Sequence, residues 1–207
     1  RKYVAFGGAR GGGKSWAVRC KAKLLALRYA GIRILLVRRS LAELEANHLA
    51  FLRQELADVA EYRAGERQFR FCNGSVLQFG YCGCDRDLDR YQGAEYDVIF
   101  LDEATQLKEQ WMRQIAACVR GVNDFPKRIY YTCKPGGPGH GYIKRLFIDR
   151  RFEDGEQPED YAFIPARVTD NAALLARQPD YLKTLEALPY KLRRAWLEGR
   201  WDVFAGQ

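Results

Sequence analysis

A glycine-rich segment near the N-terminus has the residue types and spacing of a phosphate-binding loop. The pattern is a glycine, four further residues and then Gly-Lys-Ser, formed here by Gly8, Ala9, Arg10, Gly11, Gly12, Gly13, Lys14 and Ser15. In such a loop the backbone N–H groups surround a phosphate, the lysine neutralises charge on the β- and γ-phosphates, and the hydroxyl binds Mg²⁺. The pattern predicts a nucleoside triphosphate site in which all eight residues contact the nucleotide, Lys14 assists catalysis and Ser15 is a metal ligand. The alternative is a flexible surface loop.

Two adjacent acids could supply the rest of the chemistry. An apolar run over residues 98–101 ends at Asp102 and Glu103. A carboxylate at the end of a buried strand beside a phosphate loop can hold Mg²⁺ directly or through water. A second carboxylate can polarise a water for attack on the γ-phosphate, which is general-base catalysis. The pair therefore favours hydrolysis, with Asp102 as metal ligand and Glu103 as base; the alternative is a pair of solvated acids that cap the next helix.

Four other side chains are candidates for the same reaction. Thr132 could contact the γ-phosphate or its attacking water, or be an ordinary strand residue. Arg10 could stabilise transition-state charge from within the loop, or point to solvent. Arg86 and Arg90 precede the acidic strand and could be arginine fingers offered to a neighbouring subunit.

The two histidines are not needed for this chemistry, because a carboxylate already fills the role of base. We expect His48 on a helix surface and His140 in a loop.

The elements that must position these residues follow from the pattern of apolar residues. Continuous apolar runs predict buried strands, and apolar residues at three- and four-residue spacing predict helices. Strands are predicted over residues 3–6, 32–37, 97–102, 128–133 and 161–167. Helices are predicted over residues 15–30, 40–59, 104–118, 142–150 and 179–199, the last of them broken near Pro189. Asn73 and Gly74 predict a tight turn between two antiparallel strands over residues 68–72 and 75–81.

Length and composition fit one α/β domain over residues 1–207. Hydrophobic residues make up 47% of the chain and charged residues 29%, as in ordinary globular proteins and unlike disordered ones. No apolar run approaches the length of about eighteen residues that suggests a membrane helix. No signal peptide is recognisable either, so we expect a cytosolic protein without a membrane partner.

The positive charge is concentrated at one end of the chain. Of the net charge of +8, all of the excess lies in the first 60 residues, which contain twelve Lys or Arg and four Asp or Glu. This is more than one triphosphate needs, so a polyanion such as nucleic acid is a plausible second partner. A solvated helix face is the alternative. The residues concerned are Arg19, Lys21, Lys23, Arg28 and Arg33.

Four segments together resemble one family, the ATPase domain of the large terminase subunit, which is the DNA-packaging motor of tailed bacteriophages. They are residues 7–15, residues 92–104, the glycine-proline loop of residues 134–141 and the Trp-rich ending over residues 196–202. The resemblance implies a P-loop NTPase fold of the ASCE type, with a mainly parallel central sheet flanked by helices and an added antiparallel hairpin. It implies ATP and Mg²⁺ as cofactors.

The resemblance also implies roles for single residues. Gly13, Lys14 and Ser15 would form Walker A, Asp102 would be the Walker B magnesium ligand, and Glu103 the catalytic carboxylate. Thr132 would belong to the coupling motif. Related chains tend to have Thr-x-Asn-Pro there, and this chain has Lys134 in place of the asparagine.

The partners expected from the resemblance are those of a packaging motor in the cytoplasm of the infected bacterial host. They are double-stranded DNA, a homo-oligomeric ring that is usually a pentamer, the portal protein and the small terminase subunit. Residues 170–207 would be a helical extension toward a nuclease domain, and we expect no DNA cleavage by these residues. A helicase-like or repair ATPase, or a nucleotide-binding module without hydrolysis, are the alternatives.

Overall fold

Eight strands form one sheet at the centre of the protein. A computed structural model describes residues 1–204, with β1 (Tyr3–Gly8), β2 (Arg33–Arg38), β3 (Ala60–Arg63), β4 (Gln68–Phe71), β5 (Val76–Tyr81), β6 (Val98–Leu101), β7 (Arg128–Cys133) and β8 (Tyr161–Ala166). Their order across the sheet is β3-β4-β5-β2-β6-β7-β1-β8. One strand, β7, therefore lies between the strand that leads into the phosphate loop and the strand that leads to Asp102.

Six neighbouring strands run parallel. From β5 through β2, β6, β7 and β1 to β8 every pair is parallel, so their carboxyl ends meet at one edge of the sheet, where ligands bind in open α/β folds. β4 pairs antiparallel with both β3 and β5. The mainly parallel sheet and the hairpin agree with the prediction. β3 was not predicted, because its four residues include two charged ones and form no apolar run.

Helices cover both faces of the sheet. α1 (Lys14–Arg28) follows the phosphate loop, and the helix predicted over residues 40–59 consists of α2 (Leu41–Leu44), a π-helical turn (Glu45–Leu49) and α3 (Ala50–Glu55). The remaining helices are α4 (Glu109–Ala116), α5 (His140–Ile143) with a π-helical turn (Lys144–Ile148), α6 (Ala172–Arg177), α7 (Tyr181–Glu186) and α8 (Tyr190–Trp196). No helix within residues 1–204 has the length and apolar character to cross a membrane.

The segment after the acidic pair is not one helix. Residues Ala104–Gln106 form a single 3-10 turn, Lys108 is extended, and α4 begins at Glu109. The predicted helix over residues 104–118 is therefore wrong in its first part. The extended residues carry Leu107 into the core, where it is completely buried, and helical spacing alone does not reveal such a break.

The central strands are buried on both faces, which explains their continuous apolar runs. In β2, Ile34 and Leu36 pack into a core with residues of α1 and α3, whereas Leu35 and Val37 pack into a core with residues of α4 and α5. The sheet is thus the middle layer of three, and its carboxyl edge is the place where loops can gather functional side chains.

The C-terminal helices fold back onto the phosphate loop. Asn171 donates its side-chain N–H to the Gly11 carbonyl at 2.8 Å, and the Trp196 carbonyl, at the end of α8, accepts the Arg10 N–H at 2.6 Å. α7 ends and α8 begins around Pro189, at the break that the sequence predicts. Residues 205–207 of the predicted extension lie outside the described residues.

The burial of the central strands predicts a large difference in stability between two leucine substitutions. Leu36→Ala removes a completely buried side chain and should lower the free energy of unfolding by about 2–5 kcal/mol. Leu24→Ala is the matched control, since Leu24 on α1 is 64% exposed, and should change stability by less than about 0.5 kcal/mol. Urea denaturation of both variants measures the difference; equal losses would contradict the described core.

Candidate active site

The phosphate loop connects β1 to α1 and leaves a row of backbone donors free. Gly13, the residue before α1, has a left-handed backbone with φ of 74°, a conformation that glycine adopts without strain. Within residues 1–204, the N–H groups of residues 11–15 have no hydrogen-bond acceptor. Consecutive free N–H groups at a helix N-terminus form an anion-binding site. The loop therefore has the geometry to bind a phosphate.

The first part of the loop is held by neighbouring elements instead. The N–H of Ala9 donates to the Ala166 carbonyl of β8 at 2.8 Å, while that of Arg10 donates to Trp196. The exposed Arg10 guanidinium lies 4.8 Å from the centre of the Trp196 ring. The free donors of the loop therefore begin at residue 11, and the phosphate role of Arg10 stays a prediction.

Lys14 folds back across its own loop. Its Nζ donates to the Ala9 carbonyl at 2.6 Å, and the residue is only 8% exposed. Burial lowers the pKa of Lys14, an effect that outweighs the opposing attraction of Glu103. An incoming anion would supply the charge partner that this ammonium lacks.

Asp102 lies at the carboxyl end of β6 and has four polar neighbours. His48 Nε2 is 2.7 Å and Arg38 Nε 3.5 Å from its Oδ2, the Ser15 hydroxyl donates to the same oxygen at 3.4 Å, and the Thr132 hydroxyl donates to Oδ1. Burial by itself would raise the pKa of Asp102, but the bonds from His48 and Thr132 and the charges beside it lower the pKa to about 2. The carboxylate is therefore ionised while completely buried.

The oxygens of Asp102 and Ser15 fit a magnesium ion. Mg²⁺ prefers oxygen ligands and is usually held by one or two protein groups together with waters and substrate phosphates. Residues 1–204 contain no group of three or more His, Cys, Asp or Glu that could hold a metal ion, so a fully protein-made cage is absent from this part of the chain. One ionised carboxylate and one hydroxyl beside the phosphate loop match the magnesium pattern.

Glu103, next to Asp102, has a left-handed backbone with φ of 56°. Its N–H donates to the Thr132 hydroxyl at 2.9 Å, and its Oε2 accepts from Lys134 Nζ at 2.6 Å. It makes no side-chain cap to the following turn. The alternative interpretation of the two acids as helix caps is therefore wrong.

Thr132 connects the two acids. Its hydroxyl donates to Asp102 and accepts from the backbone of Glu103, so both of its hydrogen-bonding functions are used. The register of the sheet explains the contact, because Leu101 of β6 lies opposite Tyr131 of β7. Thr132 orients the acidic pair; its contact with a γ-phosphate stays a prediction.

Comparison with known proteins identifies the family. A sequence model described as terminase large subunit, T4likevirus-type, N-terminal, matches residues 5–202. The chain belongs to this family. No curated protein matches the chain in sequence.

Solved terminases share the fold. The large terminase of a thermophilic bacteriophage in complex with ADP has a TM-score of 0.76 at 16% identity, covering 97% of this chain and 48% of its own. The same terminase in complex with ATP-gamma-S has a TM-score of 0.74 at 16% identity, with coverages of 97% and 48%. The Thermus phage P74-26 large terminase ATPase domain has a TM-score of 0.64 at 16% identity, and the match covers 97% of this chain and 88% of that domain.

These likenesses confirm the predicted fold. The terminase chain has the ASCE P-loop fold of terminase ATPase domains, with its mainly parallel sheet between helices. It spans about half the length, 48%, of the thermophilic-phage terminase solved with ADP.

His48 was misplaced by sequence reasoning in this terminase chain. It is completely buried against Asp102, not on a helix surface. Because an ionised carboxylate can only accept hydrogen bonds, Nε2 of His48 is the protonated donor of that bond. The signal was present: Leu44, His48 and Leu52 are spaced by four, which places them on one helix face.

His140 is also not an exposed loop residue. It is the first residue of α5 and only 4% exposed. Its Nδ1 accepts the Gly136 N–H at 3.0 Å, and its ring stacks on Trp201 with centroids 5.3 Å apart. The sequence around it, rich in glycine and proline, hides the short helix that follows.

Arg86 and Arg90 lie on the same edge of the sheet but far from the phosphate loop of their own chain. They are in a 3-10 helix (Asp85–Tyr91) after β5, which is four strands from β1, or about 19 Å at ordinary strand spacing. Arg90 pairs with Asp87 at 2.9 Å and lies 4.1 Å from the centre of the Tyr81 ring. Arg86 is exposed.

Two of the basic residues near the N-terminus are used inside the molecule. Arg19 is buried and donates to the Asn47 carbonyl at 2.6 Å, and Lys23 pairs with Glu55. Both therefore attach α1 to the following helix. Lys21 and Arg28 are exposed on α1 and remain available to a polyanion.

The buried Asp102 predicts a pH-dependent loss of stability. A carboxyl whose pKa is lowered on folding stabilises the protein above its unfolded pKa, near 3.8, and this contribution is lost as the pH falls toward about 2. Asp102→Asn leaves Arg38 and His48 without their anion and should cost about 3–5 kcal/mol at pH 7. Urea denaturation should show the difference in unfolding free energy between the parent protein and Asp102→Asn shrinking between pH 4 and pH 3. A difference that stays constant with pH would contradict the prediction.

Proposed function

We propose that this chain is the ATPase engine of a DNA-packaging terminase, which hydrolyses ATP and uses the energy to move double-stranded viral DNA into a procapsid. The observation that carries the proposal is the row of free N–H groups over residues 11–15 beside Asp102 and Glu103. Nucleotide complexes of the thermophilic-phage terminase, with ADP and with ATP-gamma-S, support ATP as the ligand. The P74-26 relative is an ATPase domain, which supports hydrolysis.

In the proposed reaction, backbone donors and Lys14 bind the phosphates. Ser15 and Asp102 would hold Mg²⁺, which neutralises phosphate charge and orients the terminal phosphate. Residues 8–10 complete the loop through contacts with β8 and α8, and Arg10 would add positive charge there. Because Asp102 is already ionised, the site needs no proton release before it binds a cation.

Glu103 would be the general base. Its carboxylate would accept a hydrogen bond from the attacking water and polarise it toward the γ-phosphate. Thr132 fixes the direction of the Glu103 peptide, because its hydroxyl accepts a hydrogen bond from the Glu103 N–H. A base held on a fixed backbone loses little entropy in reaching the attack geometry.

The proposed setting is a homo-oligomeric ring, in the family's usual form a pentamer, on the portal protein in the host cytoplasm. Double-stranded DNA and the small terminase subunit would be its other partners. Arg86 and Arg90 are far from their own phosphate loop and exposed, which suits a finger acting on the neighbouring subunit. Residues 1–207 would be one ATPase domain, with residues 170–207 as the extension toward a nuclease domain that performs any cleavage.

Glu103→Gln tests hydrolysis. The amide keeps the shape but cannot accept a proton, so the rate of phosphate release should fall by about 10²–10⁴-fold while ATP still binds. Glu109→Gln, which changes an exposed glutamate paired with Arg113 on α4, is the matched control and should keep the parent rate. An unchanged rate in Glu103→Gln would refute the base assignment, and no phosphate release by the parent protein would favour a nucleotide-binding module.

The exposed cations of α1 predict a salt effect on DNA binding. Neutralising Lys21 and Arg28 to Gln should reduce the slope of log affinity against log salt by about two, since each phosphate contact contributes about 0.9. Lys23→Gln is the control, because Lys23 already pairs with Glu55. Binding of duplex DNA is measured between low and physiological salt; equal slopes in all three proteins would place the DNA elsewhere.

A further inference from the structure

The side chain that touches Glu103 is Lys134. It follows β7 directly, and its Nζ lies 2.6 Å from Glu103 Oε2. Both side chains are partly buried, at 23% and 17% exposure. The contact is therefore an ion pair at the mouth of the site and not a solvent-exposed pair of the kind that contributes little.

An ion pair of this kind restrains a base. The ammonium of Lys134 lies at hydrogen-bonding distance from the carboxylate that would have to accept a bond from the attacking water. The pair also occupies Oε2, one of the two oxygens that could receive a hydrogen bond from water. Release from Lys134 would leave both oxygens of Glu103 able to accept a hydrogen bond from water.

Lys134 is also close enough to the phosphate loop for its charge to act on Lys14. After burial, which is the main cause of the lowered pKa of Lys14, the positive charge of Lys134 acts in the same direction. Glu103 acts in the opposite direction on the same ammonium. Two lysines and one carboxylate therefore lie near the phosphate loop, and this excess of positive charge favours an additional anion there.

Thr132 has no free donor for that anion, since its hydroxyl proton goes to Asp102. Lys134 has three donors on a flexible stem. Among the residues of the expected coupling motif, Lys134 is therefore the better group to detect a terminal phosphate.

The backbones of the two partners are fixed relative to each other. The Thr105 hydroxyl, in the turn after Glu103, donates to the Lys134 carbonyl at 2.9 Å, and Gly139 donates to the Thr105 carbonyl at 2.9 Å. Gly137, with φ of 106°, approaches so closely that a Cβ would lie 2.4 Å from the Thr105 carbonyl oxygen. Any change in the ion pair is then a side-chain movement that needs no opening of the loop.

We propose that Lys134 is a positioning residue that exchanges partners: it holds Glu103 when no γ-phosphate is present and moves to the γ-phosphate of bound ATP, which releases Glu103 to polarise water. The inference rests on the proposed ATPase function. A terminal phosphate carries more negative charge than one carboxylate and so competes for the ammonium. ADP lacks this group, so the ion pair persists in the ADP state and the base is engaged only with ATP.

Lys134→Met tests the exchange, because methionine keeps most of the length and removes the charge. Dissociation constants for ATP-gamma-S and for ADP, both with Mg²⁺, are measured by calorimetry on the full chain. Affinity for ATP-gamma-S should fall about tenfold or more, as expected for a lost charged hydrogen bond, while that for ADP changes less than about threefold. Lys134→Arg should restore much of the preference for ATP-gamma-S.

Lys144→Met is the matched control. Lys144 pairs with Asp149 at 2.7 Å with similar exposures, 24% and 28%, and its loss should leave both affinities unchanged. Equal weakening of both nucleotides in Lys134→Met, or no change in either, would overturn the proposed exchange.

A second measurement separates the exchange from a structural role. Glu103→Gln frees Lys134 in advance and should tighten ATP-gamma-S binding about two- to fivefold without affecting ADP, and Lys134→Met in the same chain should abolish this gain. Hydrolysis by the parent protein without these effects would refute the exchange alone. No nucleotide binding or hydrolysis by the parent protein would refute the proposed function and the exchange together.

Discussion

The ionised carboxylate of Asp102, completely buried at the carboxyl edge of the sheet, is the constraint on which the site depends. A buried charge is costly unless cations and hydrogen-bond donors surround it. Among its partners, His48 lies in the π-helical turn over Glu45–Leu49 and Arg38 lies in β2. Thr132 lies in β7 and Ser15 in α1. Satisfying one charge therefore fixes four elements relative to the phosphate loop.

Strand order turns this constraint into a reaction site. β7 lies between β1 and β6, so Thr132 reaches both acids while the phosphate loop opens beside them. The left-handed backbone of Glu103 then separates two adjacent carboxylates into different environments. Asp102 is held ionised among donors, and Glu103 pairs with Lys134 at the mouth of the site. One dipeptide can in this way serve a metal and a water.

Much of this was predictable, and the misses have definite physical causes. The loop over residues 8–15, the acids and the central strands β2 and β6 follow from motif and from apolar runs, because burial on both faces leaves a strong pattern. β5 follows instead from the turn at Asn73 and Gly74. β3 was missed because a short edge strand needs no apolar run. His48 was missed because its polarity suggested the surface, although its spacing from Leu44 indicated the core. A histidine can be buried where a carboxylate accepts a hydrogen bond from its N–H, as Asp102 does here.

The order of residues along the chain is enough to specify the chemistry that is possible: a phosphate loop, an acidic pair and a parallel α/β sheet to hold them. Which side chains meet depends on tertiary packing. Lys134 contacts Glu103, and His48 contacts Asp102, because distant segments pack together and not because of any local pattern. The same packing makes the free loop donors begin at residue 11, because β8 and α8 occupy those of Ala9 and Arg10. Local propensity acts over a few residues, whereas contacts across the sheet depend on how distant segments pack.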